Sequence, residues 1–324
     1  MGLNLPDQGV VLTGGSGFLG KWLIRALLPT GARILSLDRR PLPDEWTPLP
    51  DEWTSHARVK HAVLDLEDGR LLKESIGSTK GFLPGSSALI HLASNSHAGA
   101  CHEDPVEACR ANVILTVKAL EACRSKGISR VLFSSTALVY GKHRPEDARE
   151  TDAAEPGGVY AATKLAAEDV LRGYAAAYGF SCDILRFSNI YGPDVHEDTA
   201  VGTALRHAAA GMPIRLKTHT PVRDFLYCED AAEAFVRLLA AGAPSGSRVV
   251  NVSTGKAHSI GEMAGILHEI AARDIPAPPP VVPEEVMESR LVLSNGRLYR
   301  YTGWRPRHDL QSGLQKTWEY MDRG

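Results

Sequence analysis

The sequence predicts an α/β fold built on a doubly wound parallel sheet, with a smaller mixed α/β lobe toward the C-terminus. Three observations predict it. Short apolar runs alternate with longer helix-patterned stretches through the first half of the chain. Those runs are nearly continuous in apolar residues, as suits strands covered on both faces. The first run leads straight into a glycine-rich turn, Thr13-Gly14-Gly15-Ser16-Gly17-Phe18-Leu19-Gly20, that opens the first helix.

Each element follows in order. Val10-Val11-Leu12 is the first strand. Leu19, Leu23 and Leu27 then repeat every four residues, with Ile24 and Leu28 beside them, which is the buried stripe of an amphipathic helix. Arg33 to Leu37, Val59 to Leu64, Ala88 to Leu92 and Val131 to Phe133 are the next four strands, and Cys182 to Phe187 and Val249 to Val252 are two later ones. Between the second and third strands, Pro41-Leu42-Pro43-Asp44-Glu45-Trp46-Thr47 recurs as residues 48–54. Two prolines per repeat exclude a coiled coil, so this is a tandem duplication in a surface loop. After about residue 190 the loops lengthen, and Ile275 to Pro280 reads as a stiff proline-rich connection. The expected division is a main domain at residues 1–187, with later segments around 224–253 returning to it, and a lobe formed mainly by 188–324.

Composition narrows the function. The chain has 324 residues, 44% apolar and 23% charged, which is ordinary globular composition. Lys and Arg total 36 against 38 Asp and Glu, for a net charge of −2, where a dedicated nucleic-acid binder would be more basic. No apolar run reaches the length of a membrane span, and the first residues lack the plan of a signal peptide. Five cysteines without a C-x-x-C pair fit reduced thiols in a cytoplasmic protein, with packing as their role.

The glycine turn carries the first chemistry. Gly14 permits the tight turn, Gly17 lets a pyrophosphate approach the backbone, and Gly20 lets the helix pack on the sheet. The helix start then offers N–H groups and a positive dipole end to phosphate, so the turn reads as a dinucleotide site. Asp38 ends the second strand eighteen residues after Gly20. A carboxylate there accepts from both ribose hydroxyls and repels a 2′-phosphate, which favours NAD over NADP. Arg39 and Arg40 follow at once; either could embrace a phosphate, or both form an exposed basic corner. Asp65-Leu66 closes the third strand, where an adenine edge would lie; a strand-end cap is the alternative.

Tyr160 and Lys164 are four apart, which on a helix puts both on one face. A nearby ammonium stabilises a phenolate and lowers the tyrosine pKa. Thr136, in Phe133-Ser134-Ser135-Thr136-Ala137-Leu138, can set a hydroxyl against the same substrate oxygen, or bond locally within its turn.

With these motifs in place, the sequence resembles the extended short-chain dehydrogenase/reductases, and within them the NAD-dependent nucleotide-sugar epimerase/dehydratase family. The resemblance runs nearly the whole chain. It continues through His91-Leu92-Ala93-Ser94, Leu185 to Pro193, Arg223 to Asp230, Asn251 to Gly255 and Gly303-Trp304-Arg305-Pro306. It implies a Rossmann domain that binds NAD and a lobe that binds a nucleotide sugar. It gives NAD contacts to Gly14, Ser16, Gly17, Phe18, Leu19, Gly20, Asp38, Arg39, Asp65, Leu66, Leu92, Ala93, Ser94, Ser134, Tyr160 and Lys164. Tyr160 is then the general base and acid. Lys164 lowers its pKa and binds the nicotinamide ribose, and Thr136 orients the sugar hydroxyl. Asn189 matches a position that contacts the nucleotide sugar, and Arg223 and Arg290 match positions that clamp its diphosphate. Guanidinium forks fit that role; a surface salt bridge is the alternative for each.

Two departures bear on the substrate. Lys217 to Val222 stands where relatives show a glycine-rich turn, and Ser94 stands where a second alanine is common. His97, His196 and His219 have no metal-ligand spacing, so no metal is expected. Family 4,6-dehydratases carry Asp-Glu directly after the threonine; here those positions are Ala137-Leu138, which transfer no proton. The resemblance therefore points to a UDP-sugar 4-epimerase working through a 4-keto sugar, with dTDP the less common carrier. The alternatives are an atypical dehydratase, for example one eliminating water across C5–C6, and a non-catalytic NAD-binding regulator. In the family, dimers pair two long helices per subunit; the candidates are about Val106 to Arg124 and Tyr160 to Tyr178. Ala108, Ala111, Ala119, Ala122, Ala166, Ala167 and Ala175 would allow close approach, although packing within one chain explains the same residues.

Overall fold

The computed structural model describes residues 3–42, 58–79, 81–85, 87–271 and 289–322. The proline-rich connection and nearly all of the duplicated 41–54 segment lie outside the described residues. In chain order the strands are β1 (Gly9–Thr13), β2 (Arg33–Asp38), β3 (Val59–Val63), β4 (Ser87–His91), β5 (Arg130–Thr136), β6 (Ser181–Phe187), β7 (Asn189–Tyr191), β8 (Val222–Arg223), β9 (Phe225–Tyr227), β10 (Ser247–Val252), β11 (His258–Ser259) and β12 (Arg290–Leu291). The helices used below are α1 (Phe18–Leu27), α2 (Gly69–Gly77), α3 (Ala98–Glu103), α4 (Pro105–Cys109), α5 (Leu115–Arg124) and α6 (Val159–Tyr178).

Seven strands form the central sheet in the order β3-β2-β1-β4-β5-β6-β10. Pairings β1–β2, β1–β4, β2–β3 and β4–β5 are parallel. This is the doubly wound arrangement expected, and the strand order reverses between β1 and β4. Register places Thr13 level with Leu37 on one side and His91 on the other, so the glycine turn leaves the sheet at the reversal. Val10, Val11 and Leu12 are fully buried, as are Leu23 and Leu27 of the α1 stripe. Val11, Leu35, Leu89, Val131 and Phe133 from successive strands form one core with Leu171 of α6. Burying each such side chain stabilises the fold by roughly 1.5–3 kcal/mol. β3 departs from the expectation of strands covered on both faces: it is the sheet edge, and Val63 is 57% exposed.

By compactness the chain divides into two units. The first comprises Met1–Val139, Pro156–Arg186 and Ala232–Val250; the second comprises Tyr140–Glu155, Phe187–Ala231 and Asn251–Gly324. The second unit holds a three-stranded sheet, β11-β8-β12, and the parallel pair β7–β9.

The helix expected from Val106 to Arg124 is not regular throughout. α4 passes through a π-helical turn, Arg110–Ile114, before α5 begins. The seven alanines divide as well. Ala108, Ala119, Ala122 and Ala167 are buried within this chain, Ala166 is exposed, and Ala111 and Ala175 are half-buried. Among the described residues no helix is long and apolar enough to cross a membrane. All five cysteines are free thiols, with only Cys109 exposed.

Candidate active site

The glycine turn is shaped for close approach. Gly14 has φ +81°, and a Cβ on it would lie 2.8 Å from the Ala93 backbone nitrogen. A Cβ on Gly20 would strike the Gly14 carbonyl oxygen, which is why α1 packs so close to the turn. Gly17 caps α1 with no side-chain hydrogen bond, so the first-turn N–H groups, Phe18 and Leu19 among them, have no capping side chain. By contrast Asp68 caps α2, accepting from the Arg70 and Leu71 backbone nitrogens. A bare helix start at the reversal point of the sheet, behind a turn only glycine can make, fits a dinucleotide pyrophosphate.

Around that turn, Asp38 Oδ2 accepts from Ser16 N at 3.0 Å and Oδ1 accepts from Arg40 N at 3.1 Å. Asp38 is buried at 6% exposure, whereas Arg39 and Arg40 are exposed. Asp65 is exposed and its Oδ1 accepts from Glu67 N at 2.9 Å, the strand-end cap, while Leu66 joins the core. Leu92 N donates to Thr13 O at 3.1 Å and Ser94 Oγ donates to Leu92 O at 3.2 Å, which fixes the chain leaving β4. Ser134 is half-buried on β5.

Thr136 ends β5, and Tyr160 and Lys164 lie one turn apart on α6. The Thr136 hydroxyl lies near enough to the Tyr160 hydroxyl to draw its pKa downward, so the structure brings these two together. Thr136 Oγ1 also accepts from Leu138 N at 3.2 Å. Lys164 is 2% exposed, with its Nζ 4.3 Å from the centre of the Phe133 ring. Burial opposes the lowering of the tyrosine pKa expected from Lys164. Tyr160 is partly exposed as a residue, yet desolvation of its hydroxyl pushes the phenol up to about 12, against the pull of the Thr136 hydroxyl. Burial pushes Lys164 down to about 7, opposed by the Glu168 carboxylate. Spacing put both groups on one face, but that face is dry, and desolvation opposes charge on either.

Three residues that spacing alone does not single out support this centre. Glu168, one turn beyond Lys164 and fully buried, accepts from Ser135 Oγ at 2.6 Å and from Arg186 at 2.9 and 2.6 Å. It also pairs with Arg172 at 2.8 Å. Burial pushes its pKa up, but Arg186 and Ser135 outweigh that and hold it below the ordinary value. The four-residue step from Tyr160 to Lys164, continued once more, is the only trace of it in the sequence. Asn112, buried in the π turn, accepts from Asn95 N at 2.7 Å and donates to Asn95 O at 3.1 Å and Thr163 Oγ1 at 2.9 Å. It ties the loop after Ser94 to α6; a lone asparagine inside a helix pattern gives little warning of this. His91 is buried between Thr13 Oγ1, 2.6 Å from Nδ1, and Thr116 Oγ1, 3.1 Å from Nε2. Thr116 already donates to Asn112 O, so Nε2 must donate and Nδ1 accept. Burial, aided by Lys164, pushes His91 down to about 3, so the ring is neutral.

The second unit holds the other candidates. Asn189 is exposed at the start of β7, its N–H donating to Asp224 O at 3.0 Å. Arg223 on β8 is half-buried; its Nη1 donates to Val222 O at 2.8 Å and its Nη2 to Ser289 Oγ at 2.7 Å. Arg290 on β12 pairs with Asp147 at 2.6 Å. The strands are neighbours, but their parallel register sets Arg290 opposite Val222 and Leu291 opposite Arg223. Side chains alternate along strands and match across them, so Arg223 and Arg290 leave opposite faces of the small sheet. Asp224, also missed in the sequence, is fully buried and accepts from Thr254 N, Thr254 Oγ1, Gly255 N and Ser188 Oγ. It fixes the backbone between Asn189 and Arg223. Of the histidines, His97 Nδ1 accepts from Ala100 N to cap α3, and exposed His196 accepts from Asp198 N at 3.3 Å.

Known proteins share this chain's sequence pattern and fold. The model of the NAD dependent epimerase/dehydratase family matches residues 10–253. A UDP-glucose 4-epimerase of Corynebacterium glutamicum is 28% identical over 330 residues, covering 96% of this chain and 95% of its own. The structure of the Thermus thermophilus UDP-glucose 4-epimerase in complex with NAD has a TM-score of 0.80 at 29% identity, covering 97% of this chain and 99% of that one. An Arabidopsis thaliana trifunctional protein with UDP-glucose 4,6-dehydratase activity in its name is 28% identical over 238 residues, covering 72% of this chain and 35% of its own.

Proposed function

The chain belongs to the NAD-dependent epimerase/dehydratase family, with NAD as its cofactor, and from that premise we propose that it is a UDP-sugar 4-epimerase. One observation carries this over a dehydratase. Ala137 and Leu138 follow Thr136 directly, so no carboxylate follows the threonine there to take a C5 proton or protonate a leaving hydroxyl. UDP as carrier is supported by the names of relatives that match nearly the whole chain.

Bound NAD would supply a hydride acceptor and donor for C4 of the sugar. The glycine turn and α1 start would hold its pyrophosphate, and Asp38 its ribose hydroxyls. Tyr160 Oη takes the proton of the sugar 4-hydroxyl and gives it back. Thr136 Oγ1, beside the Tyr160 hydroxyl, orients that hydroxyl. With its phenol pushed up to about 12, Tyr160 acts as a base only when cationic charge reaches its oxygen. Lys164, one turn away, is the chain's own source of that charge. Arg223 would grip the substrate diphosphate, and Asn189 would contact the nucleotide sugar.

The test is incubation of the full chain with UDP- and dTDP-sugars, read by mass and proton NMR. Unchanged mass with inversion at C4 is expected. Loss of the mass of water would overturn the reading in favour of a dehydratase, and no conversion with NAD retained would favour a regulator. Dimerisation is part of the same reading. Val106 at 66% and Ile114 at 49% exposure leave an apolar edge on the α4–α5 rod, and Ala166 of α6 is exposed as well. A monomer by light scattering at micromolar concentration would refute that pairing.

A further inference from the structure

The turn after β2 is held by a closed set of hydrogen bonds that the sugar chemistry does not use. Asp38 grips the N–H of Arg40 with Oδ1 and that of Ser16 with Oδ2. The Arg40 carbonyl accepts twice, from Ser16 Oγ at 2.9 Å and from His61 Nε2 at 3.1 Å. His61 stands on β3, and its Nδ1 meets Ser36 Oγ at 3.0 Å. Ser36 is fully buried under the glycine turn, where a Cβ on Gly15 would strike its hydroxyl. A carbonyl only accepts, so Nε2 carries a proton and donates to it.

We propose that His61 is a specificity-determining positioning residue for the cofactor: by pinning the Arg40 carbonyl it holds Asp38 ready for a ribose diol and against a 2′-phosphate. This rests on Asp38 being the ribose acceptor. A carboxylate has about four acceptor positions, and the two backbone N–H groups leave room for two more donors. A diol supplies two. A 2′-phosphate supplies acceptors and negative charge instead, and a turn that welcomes it must swing a guanidinium from Arg39 or Arg40 toward it. The reach of such a swing depends on how freely the Arg40 backbone can turn. Its N–H is held by Asp38 and its carbonyl by Ser16 and His61, so the peptide units before and after Arg40 are both held. Without the imidazole the carbonyl keeps one partner of its two, and the turn gains the freedom to face a phosphate.

The experiment dialyses the full chain against equimolar NAD+ and NADP+, denatures it, and counts the two nucleotides released. The wild type should hold almost only NAD+. His61→Phe keeps a ring but loses both bonds, and the bound NADP+ to NAD+ ratio should rise roughly three- to tenfold, the scale of one lost hydrogen bond. His61→Gln can donate to the Arg40 carbonyl and accept from Ser36, and should restore the wild-type ratio, which a packing role would not predict. Asp38→Asn separates the two failures. If Asp38→Asn raises the ratio and His61→Phe does not, the role of His61 is overturned and Asp38 keeps its own. If neither moves it, the reading of Asp38 falls and takes this inference with it. Should His61→Phe fail to fold, His61→Gln alone decides, since a shifted ratio in that variant contradicts the proposal.

Discussion

The two units carry their candidate residues in different ways. In the first, Thr136, Tyr160 and Lys164 come from one strand end and one helix, and the last two present their polar atoms to a nearly dry face. In the second, Asn189, Arg223 and Arg290 come from three separated stretches, on short strands with half-exposed or exposed side chains. The contrast teaches where each kind of reasoning holds. Helical spacing of four fixes a shared face whatever surrounds the helix. Neighbouring strands fix nothing until their register is known, since a shift of one residue reverses the face.

The largest effect expected tests the compact centre. Tyr160→Phe removes the proton acceptor and leaves the ring to pack. Turnover should fall by at least about a hundredfold with UDP-sugar affinity largely kept. Near-normal turnover would break the comparison at its stronger side, because the spacing would then have found a face without finding a function.

Lys164 sharpens the point about dryness. Its folded pKa, about 7, lies below the ordinary 10.5, so between those values the unfolded chain binds more protons. Stability should therefore rise as pH rises through that window, and the burial cost should be full below about 7. Lys164→Met removes this cost together with the charge. The variant should lose turnover yet melt higher than wild type at pH 6, with the gap closing toward pH 10, by about 1 kcal/mol per pH unit. A gap that does not change with pH would mean that water reaches the ammonium.

Much of this was legible in the sequence. The order of apolar runs marked every strand of the central sheet, and the glycine turn fell at its reversal because a parallel sheet of this kind leaves few other places for it. What was not legible depended on packing between distant segments. The sign of the Tyr160 shift follows from desolvation, which no spacing reveals. Glu168 looks like any surface glutamate until Arg186 is brought to it from β6. Asn112 gains its role only because the helix opens into a π turn there.

A smaller effect tests the second unit. Arg223→Ala should weaken UDP binding by roughly ten- to a hundredfold, the loss of one charge-assisted contact of about 1.5–3 kcal/mol, and should leave NAD binding unchanged. Unchanged UDP affinity in both this variant and Arg290→Ala would remove the main physical support for a nucleotide-sugar substrate.

The smallest effect is the most discriminating, and it concerns Arg290. Its guanidinium already has a carboxylate, Asp147 at 2.6 Å, and a backbone acceptor, Arg144 O at 3.4 Å. Its place in the register sets Arg290 on the opposite face from Arg223. An ion pair this open to solvent, with side-chain exposures of 20% and 44%, contributes about 0.2–1 kcal/mol. Arg290→Ala should therefore lower the melting temperature slightly and change UDP affinity less than about twofold, within the energy of that pair. Asp147→Ala frees the guanidinium without removing it, and should also leave UDP affinity near the wild-type value. A tenfold loss in Arg290→Ala would mean that the side chain abandons Asp147 for the diphosphate on binding. In that case a gain in affinity for Asp147→Ala should accompany it, because the guanidinium no longer has to leave a partner. The two variants together decide whether the face assigned by register or the resemblance in sequence describes this arginine.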